Sequence, residues 1–462
     1  MFRLFKHYVP YPVLLLALVD FVLLLGAAEL AWVVRAHQID MFVDPATTRM
    51  VPLVSFALSL QFAMIAVGVY GVDAVQSLRF AAARLLVAIF LGVTFLSMVY
   101  FAVPGVTLWR SNALYATGIA YVFLIGIRAV FGRALGSQAF KRRVLVLGAG
   151  QRADRLRRLG DAKGAGFTVV GHVDMGDVPS VIPAAVLRED IDSVANYVTK
   201  LRVDEVVLAL EERRNAIPLN DLLRVRTAGV HVNEITTFLE RETGRVDLRS
   251  TNPSWLIFSD GFSGGRRLSS AAKRLFDIVA SGLLLLLTSP LVIVTALIVK
   301  AESKGPAFYR QKRVGLFGQE FDILKLRSMR EDAEVTGTAV WAEKNDPRIT
   351  RVGRVIRRLG IDELPQVWTV LMGEMSFVGP RPERPSFVAQ LVQQMPYYAE
   401  RHMMKPGITG WAQINYPYGA SMDDARQKLE YDLYYAKNYT PFLDLVILLQ
   451  TIRVVLFRED TR

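Results

Sequence analysis

Residues 273–304 read KRLFDIVASGLLLLLTSPLVIVTALIVKAESK. From Ile278 to Val299 run about 22 apolar residues. At ~1.5 Å per residue, that is enough to cross a ~30 Å hydrocarbon core. Two features oppose a straight span. Lys273 and Arg274 flank one end, while Lys300, Lys304, Arg310, Lys312 and Arg313 flank the other. Positive flanks mark the cytoplasmic side, and a straight span has only one end there. Ser289-Pro290 also lies at the midpoint, where proline removes a backbone donor and bends or breaks a helix. Each half, ~16 Å long, reaches half a bilayer. Segment 273–300 therefore predicts a re-entrant helix–break–helix hairpin, with Ser289 re-satisfying the backbone groups that Pro290 frees. A proline-kinked span is the alternative.

Upstream lie four further apolar runs, about Val13–Val34, Val51–Gly71, Phe80–Ala102 and Asn112–Phe131. Each is long enough to span. Arg3, Lys6, Arg79, Arg84, Arg133, Lys141, Arg142 and Arg143 put both termini of this group on the cytoplasmic side. The first run continues without a small-residue cleavage pattern, so it reads as a retained anchor. Asp20 and Glu29 sit inside it. Nine positions apart, they fall on opposite faces of a helix and do not form one site. They read as helix–helix contacts or as side chains snorkelling near a helix end, with Arg128 as a candidate partner.

The wider composition agrees. Of 462 residues, 52% are apolar and the net charge is +12; mean hydropathy is +0.29. Basic and apolar together point to a membrane surface, nucleic acid or phosphorylated ligands. The chain has no cysteine, which excludes disulfides, thiolate metal sites and cysteine nucleophiles, and its five histidines are scattered.

Between the two membrane regions, Val144–Leu147 reads as a buried strand. Gly148-Ala149-Gly150-Gln151-Arg152-Ala153 follows, then a helical stretch. This is G-x-G-x-x-A in a strand–turn–helix setting. A second strand, Thr168–Val173, ends at Asp174, where a ribose-binding acid would stand. Glu205–Ala209 and Val230–Ile235 are further strands, giving a Rossmann-like parallel layer. Gly148, Gly150, Ala153 and Asp174 are thus a candidate nucleotide turn. A short-chain oxidoreductase wants Tyr-x-x-x-Lys, and Tyr197-Val198-Thr199-Lys200 is one residue short. Thr251–Leu268 is linker-like, and its aromatics (Trp255, Phe258, Phe262) are placed to pack on the membrane region.

Beyond the hairpin, basic and acidic residues concentrate. Phe321–Met329 reads as a strand alternating into Lys325 and Arg327. A helix beginning at Asp346-Pro347-Arg348 would carry Arg351, Arg354 and Arg358 on one face. Part of that face suits anionic lipid headgroups. Gly360 stops this helix. Asp362 then sits where an N-cap belongs, before Pro365. A carboxylate at a positive helix end stays ionised, and can act as a nucleophile or metal ligand. Asp362 with Glu363 suits Mg²⁺, which one or two carboxylates hold together with substrate phosphates. Arg381, between Pro380 and Pro382, offers a fixed fork for a phosphate. Trp411, Gln413 and Asn415 are candidates for contact with the rest of a ligand, against ordinary core packing for Trp411.

Six motifs stand in order: Lys273-Arg274-Leu275-Phe276-Asp277, Ser289-Pro290, Lys325-Leu326-Arg327-Ser328-Met329, Asp362-Glu363-Leu364-Pro365-Gln366, Ser376–Pro382 and Pro406–Gln413. Over about Ala272–Phe457 the chain resembles the bacterial sugar transferases, the monotopic polyprenyl-phosphate phosphoglycosyl transferases. With its N-terminal spans it looks like the large form that starts exopolysaccharide repeat-unit synthesis. The resemblance implies transfer of a sugar 1-phosphate from a UDP-sugar to undecaprenyl phosphate, with release of UMP. It implies a ping-pong path in which Asp362 forms a phosphosugar intermediate and Glu363 positions Mg²⁺. Lys325, Arg327, Arg354 and Arg381 are similar in placement to the family's phosphate-binding residues. Asn415 is followed by Tyr416-Pro417-Tyr418-Gly419, not the Gly-Arg of smaller members, so the sugar is not assigned by analogy.

The expected organisation is membrane α plus α/β. It has a four-helix transmembrane region (1–136), a Rossmann-like cytoplasmic domain (137–262) and a monotopic α/β catalytic domain (263–462). Expected partners are the UDP-sugar, undecaprenyl phosphate, anionic lipids of the inner membrane and downstream glycosyltransferases, and no nucleic acid. A homodimer is left open. The competing functions are a membrane-bound NAD-dependent sugar-nucleotide dehydratase or epimerase, and a non-catalytic scaffold.

Overall fold

The computed structural model describes residues 2–4, 7–9, 11–40, 46–70, 78–103, 108–135, 141–162, 164–212, 217–249, 267–330, 348–416, 419 and 421–456. The chain divides into two compact units, Met1–Thr251 and Asn252–Arg462. The aromatics of the 251–266 stretch, Pro417, Tyr418 and the expected helix start at Asp346-Pro347 lie outside the described residues.

The first unit opens with a short antiparallel pair, β1 (Phe2–Leu4) and β2 (His7–Val9). Four helices follow: α1 (Tyr11–Gln38), α2 (Ala46–Val67), α3 (Leu78–Ala102) and α4 (Arg110–Leu135). α1 packs on α2 and α4, and α3 packs on the same two. The seam between them is small and apolar, with Ala27, Ala28, Phe56, Leu60, Ala88 and Leu124 all buried. Asp20 is fully buried, and Arg128 clasps it with two bonds of 2.9 and 2.8 Å. The Tyr70 hydroxyl adds a third at 2.8 Å. Glu29 instead pairs with Arg49 at 2.9 Å. The two acids serve different neighbours, as their opposite faces require, and Arg128 is the partner of Asp20.

The sheet of this unit is all parallel. Its elements run β3 (Arg142–Leu147), α5 (Gln151–Asp161), β4 (Phe167–Asp174), β5 (Val186–Leu187), α6 (Val194–Lys200), β6 (Glu205–Leu208), α7 (Leu219–Thr227), β7 (His231–Glu234) and α8 (Ile235–Thr243). The strand order is β5-β4-β3-β6-β7. Apolar clusters cover both faces, one around Val144, Val146 and Phe238, the other around Leu145, Leu147 and Val198. Burial on both faces explains why these strands read as continuous apolar runs.

The second unit begins with α9 (Arg267–Glu302), then the antiparallel pair β8 (Phe308–Val314) and β9 (Glu320–Leu326). Next come α10 (Arg351–Leu359), α11 (Gln366–Met372), β10 (Ser376–Val378), α12 (Pro385–Gln394), β11 (Gly407–Thr409), α13 (Trp411–Asn415), α14 (Met422–Asn438) and α15 (Pro441–Leu456). β10 and β11 pair in parallel.

The expected break in the long apolar helix is corrected: α9 runs helical through Pro290. Ser289 does what the sequence suggested, its Oγ donating to the Leu286 carbonyl at 3.1 Å. Both ends of α9 are tied to the folded unit. Near its start, Lys273 donates to Asp444 (2.6 Å) and to the Val378 carbonyl (3.0 Å). Arg274 caps the last carbonyls of α11, Val370 (2.8 Å) and Leu371 (2.7 Å). Asp277 accepts from Ser376 and from the Phe377 amide. At its end, Glu302 accepts from the Val352 amide at the start of α10. Between these anchors only 11% of the apolar window is buried, and Leu283, Leu286, Leu287 and Ile293 are exposed. α15 packs beside α9 and buries Leu443 and Ile447.

Among the described residues five helices, α1 to α4 and α9, are long and apolar enough to cross a membrane. With the parallel sheet they make the chain an α-helical membrane protein carrying α/β structure.

Candidate active site

The acidic pair sits on a sharp turn between two helices. Thr350 caps α10, its Oγ1 accepting from the Gly353 amide at 2.9 Å. Gly360 ends α10 in the left-handed conformation, φ 72°. A single 3₁₀ turn, Ile361–Glu363, follows, and α11 begins after Pro365. Among the described residues α10 begins at Arg351, with Thr350 as its cap. Asp362 is not an N-cap either: Gly360 and Pro365 hold the cap positions, and neither makes a side-chain cap bond. Asp362 is instead buried within the turn.

β9 brings Lys325 to the pair, where its Nζ meets Glu363 Oε1 at 3.0 Å. Arg381 reaches the same oxygen at 3.4 Å. Arg381 owes its place to two chain crossings. Gly379, Gly407 and Gly410 press backbone to backbone; a Cβ on Gly379 would stand 2.2 Å from the Lys405 carbonyl, and one on Gly410 2.2 Å from the Gly379 carbonyl. Only glycine permits that approach. It locks the Gly-Pro-Arg-Pro segment against the Pro-Gly-Ile-Thr-Gly segment, and the Arg401 guanidinium then holds the Arg381 carbonyl at 2.9 Å.

The charges divide the pair. Burial raises the pKa of Glu363, but Arg381 and Lys325 outweigh it and hold the group at about 2. Asp362 goes the other way: burial and the neighbouring Glu363 charge push it up, and Lys325 and Arg357 only partly oppose them. Lys325 is lowered by burial, against the pull of Glu363. Glu363 is therefore a fixed, ion-paired anion. Asp362 is the more basic of the two carboxylates, and more basic oxygens are the better nucleophiles.

A cleft beside the pair is lined by Arg313, Lys325, Gln366, Arg381 and the Gly407-Ile408 backbone. Arg313 was not singled out as a site residue from sequence. It donates to the Pro382 carbonyl at 3.2 Å, and burial brings its pKa down to about 10. Gln366, in the Asp-Glu-Leu-Pro-Gln motif, is also buried there.

Five expected site residues lie elsewhere or are otherwise engaged. Arg327 is buried, and its donors go to Lys304, Val299 and Ser303, where it fastens the end of α9. Its Nη1 and Nη2 anchor the end of α9 and do not bond the acidic pair. Arg354 is exposed on α10, and the guanidinium that acts on Asp362 is that of Arg357. Trp411 is core, stacked on Tyr434 with ring centroids 5.7 Å apart. Asn415 Nδ2 donates back to the Trp411 carbonyl at 2.9 Å. Gln413 donates to the Ile408 carbonyl at 3.1 Å and leaves Oε1 buried without a partner among the described residues.

The glycine turn of the first unit is folded as a dinucleotide turn but is filled. Gly148 has φ 124°, and a Cβ there would stand 2.6 Å from the Ala209 carbonyl. At the start of α5, where a pyrophosphate would accept amide hydrogens, Glu211 does so: its Oε1 takes the Arg152 amide at 2.9 Å. Its other oxygen pairs with Arg152 Nε at 3.2 Å. Glu211 and Val178 cover Gly150 at 2.9 and 2.8 Å from a would-be Cβ. Ala153 is buried, and Asp174 turns back to accept the Gly176 amide at 2.9 Å.

Residues 268–458 match the model of a family described as bacterial sugar transferase. The chain is 43% identical over 235 residues to the UDP-N-acetylgalactosamine-undecaprenyl-phosphate N-acetylgalactosaminephosphotransferase of Aeromonas hydrophila, covering 51% of this chain and 54% of that protein. It is 35% identical over 331 residues to the undecaprenyl-phosphate glucose phosphotransferase of Komagataeibacter xylinus, covering 69% and 60%. It is 43% identical over 192 residues to a UDP-glucose:undecaprenyl-phosphate glucose-1-phosphate transferase of Caulobacter vibrioides, covering 41% and 71%. The chain thus spans little more than half the length of the first two relatives.

Proposed function

This chain belongs to the bacterial sugar transferase family, and on that premise we propose that it moves a sugar 1-phosphate from a UDP-sugar to undecaprenyl phosphate. The observation that carries the reading is the division of the acidic pair: Glu363 is held as an anion by Lys325 and Arg381, while Asp362 beside it is the more basic carboxylate. A substrate diphosphate is itself anionic, so an attacking carboxylate needs cations around it. Lys325, Arg381, Arg313 and Arg357 provide them.

An Asp362 oxygen attacks the β-phosphorus of the donor. The bond from that phosphorus to the bridging oxygen breaks, its electron pair leaves with UMP, and the sugar phosphate stays on Asp362 as an acyl phosphate. A phosphate oxygen of undecaprenyl phosphate then attacks the same phosphorus. The Asp362 carboxylate is restored and a lipid diphosphosugar is formed. Asp362 and Glu363 are adjacent hard-oxygen donors that fit Mg²⁺, which when bound offsets phosphate charge. Among the described residues no third carboxylate or histidine joins them, so substrate phosphates would complete its shell.

α1 to α4 form a four-helix transmembrane bundle, and the parallel sheet is a Rossmann-like module on the cytoplasmic side. Segment 273–300 is re-entrant through a bend at Pro290 within the continuous helix: both ends of α9 bond to one folded unit and its apolar middle is bare, which supports entry and exit on one face. The site then lies at headgroup height on the cytoplasmic side of the bacterial inner membrane, where a lipid phosphate and a soluble nucleotide can both reach it. The exposed Arg351, Arg354 and Arg358 of α10 meet anionic lipids there. The product feeds downstream glycosyltransferases of exopolysaccharide synthesis. The filled glycine turn and the transferase relatives leave the NAD-dependent dehydratase or epimerase reading without support.

The test is UMP release by the full chain in detergent, across a panel of UDP-sugars, with Mg²⁺ and undecaprenyl phosphate. Turnover needs both, and intact-mass analysis without the lipid acceptor finds one sugar phosphate on the chain. Activity that survives Asp362→Asn would sink the reading.

A further inference from the structure

A cavity of about 230 Å³ is used by nothing in the reaction above. It lies between α12, the turn Tyr398–Met403 and α14. Phe387, Leu391 and Tyr398 give it apolar and aromatic wall, and Glu383, Gln390 and Lys428 bring polar atoms. Its charges cancel. Arg401 and Asp432 in the wall are paired at 2.7 Å, and Lys428 faces the same space as Glu383. Such a cavity is a poor phosphate site and a good one for a neutral group with an aromatic face, a diol and mixed donors and acceptors.

Arg381 connects this cavity to the acidic pair. Its guanidinium is 3.4 Å from Glu363, and its backbone carbonyl is held by the wall residue Arg401 at 2.9 Å. Neither Asp362 nor Glu363 belongs to the wall. In-line displacement sets the attacking oxygen and the leaving oxygen on opposite sides of phosphorus. The sugar, one oxygen from that phosphorus, stays beside Asp362. The nucleotide departs away from it, past the cations.

We propose that this cavity holds the nucleoside of the nucleotide-sugar donor, with the base against Tyr398 and Phe387 and the polar edges on Gln390, Glu383 and Lys428. The assignment rests on the transferase reading. It fits uridine chemically: uracil offers one N–H between two carbonyl acceptors, and a ribose diol suits a carboxylate such as Glu383. Lys428 also donates to the Gly419 carbonyl at 2.6 Å. That bond ties Gly419 to the cavity wall.

UMP, which carries the nucleoside and no sugar, is the probe. Its binding to the full chain in detergent is measured by calorimetry for wild type, Gln390→Ala and the cavity-filling Ala425→Phe, with thermal unfolding as the check on folding. Both variants are expected to weaken UMP at least 10-fold and to raise the KM of every UDP-sugar by the same factor. Wild-type protein that fails to bind UMP overturns the assignment. So do folded variants that bind UMP as wild type does, including the case in which they change the ranking of UDP-sugars, which would make the cavity a sugar subsite. Because UMP binding is read apart from turnover, a chain that binds UMP in this cavity yet transfers no sugar phosphate refutes the reaction and not the cavity.

Discussion

The Lys325 ammonium lies 3.0 Å from Glu363, and this ion pair makes two adjacent carboxylates chemically unlike. Asp362→Asn is expected to abolish both UMP release and the covalent sugar phosphate. Glu363→Gln keeps Asp362 and should still form the intermediate, with turnover reduced about 10²–10³-fold, the usual scale for loss of one electrostatic partner in a reacting site. Intact-mass analysis of the two variants separates the roles. Equal loss of the covalent species in both would remove the distinction.

Acid should destabilise the fold in two windows. His402 is lowered from 6.5 to about 4 by burial and by Arg401. Between those values the unfolded chain binds the proton and the folded one does not, so stability falls as the pH drops through them. Glu363 is lowered from 4.5 to about 2, burial being outweighed by Arg381 and Lys325. Its contribution is fully present above about 4.5 and is lost as the pH falls towards 2. Asp362 is raised and acts in the opposite sense, so its protonation relieves the fold. His402→Asn should flatten Tm against pH in the upper window only, and Glu363→Gln in the lower one only.

Arg357 and Arg354 should differ, although both are arginines of one short helix. Arg357 acts on Asp362, and Arg354 is exposed. Arg357→Gln is expected to lower the rate of intermediate formation about 10-fold, the effect of roughly 1.4 kcal/mol of lost charge stabilisation. Arg354→Gln should leave that rate within 2-fold and instead weaken binding to vesicles containing anionic lipid. Stopped UMP-release assays and vesicle flotation check the two halves.

Glu211 stands in the phosphate position of the glycine turn, its Oε1 on the Arg152 amide at 2.9 Å. Purified protein should therefore carry no nicotinamide absorbance and show no calorimetric heat with NAD. Glu211→Gln keeps the hydrogen bond and loses the ion pair, so it should cost at most about 1 kcal/mol of stability. Tight NAD binding by wild type would show that Glu211 yields to a ligand.

How far the sequence could be read follows from what each residue needs. The strand–turn–helix around Gly148 was legible because close backbone approach demands glycine there. Its filling by Glu211 was not, because that residue comes from a loop about 60 positions away and no local pattern marks it. Asp362 and Glu363 were legible as an acidic pair among cations, while the cap geometry was not: Gly360 and Pro365 bracket a 3₁₀ turn that the Asp–Pro spacing alone imitates. Arg327 misled because strand alternation gives a side and not a partner, and its side meets the carbonyls at the end of α9. The arginine face on α10 was correctly spaced but turned outward. The buried Gly353 and Ile356 mark the inward face, and they would have pointed to Arg357, four residues after Gly353.

The Ser289–Leu286 bond allows a test of the membrane segment that does not depend on catalysis. Pro290 has no amide hydrogen, so the Leu286 carbonyl four residues earlier loses its helical donor, and Ser289 Oγ takes that place at 3.1 Å. Ser289→Ala alone should cost about 1 kcal/mol, since the carbonyl then faces hydrocarbon unpaired. On a Pro290→Ala background the amide returns, and Ser289→Ala should cost nothing measurable. That non-additivity, read from unfolding in detergent, isolates the bond. The same pair tests topology. With both ends of α9 anchored to one unit, a cysteine introduced at Lys300 should be labelled only from the cytoplasmic side of inverted vesicles. Labelling from the opposite side in the wild-type background would make α9 a straight span and remove the acidic pair from the face where nucleotides are found.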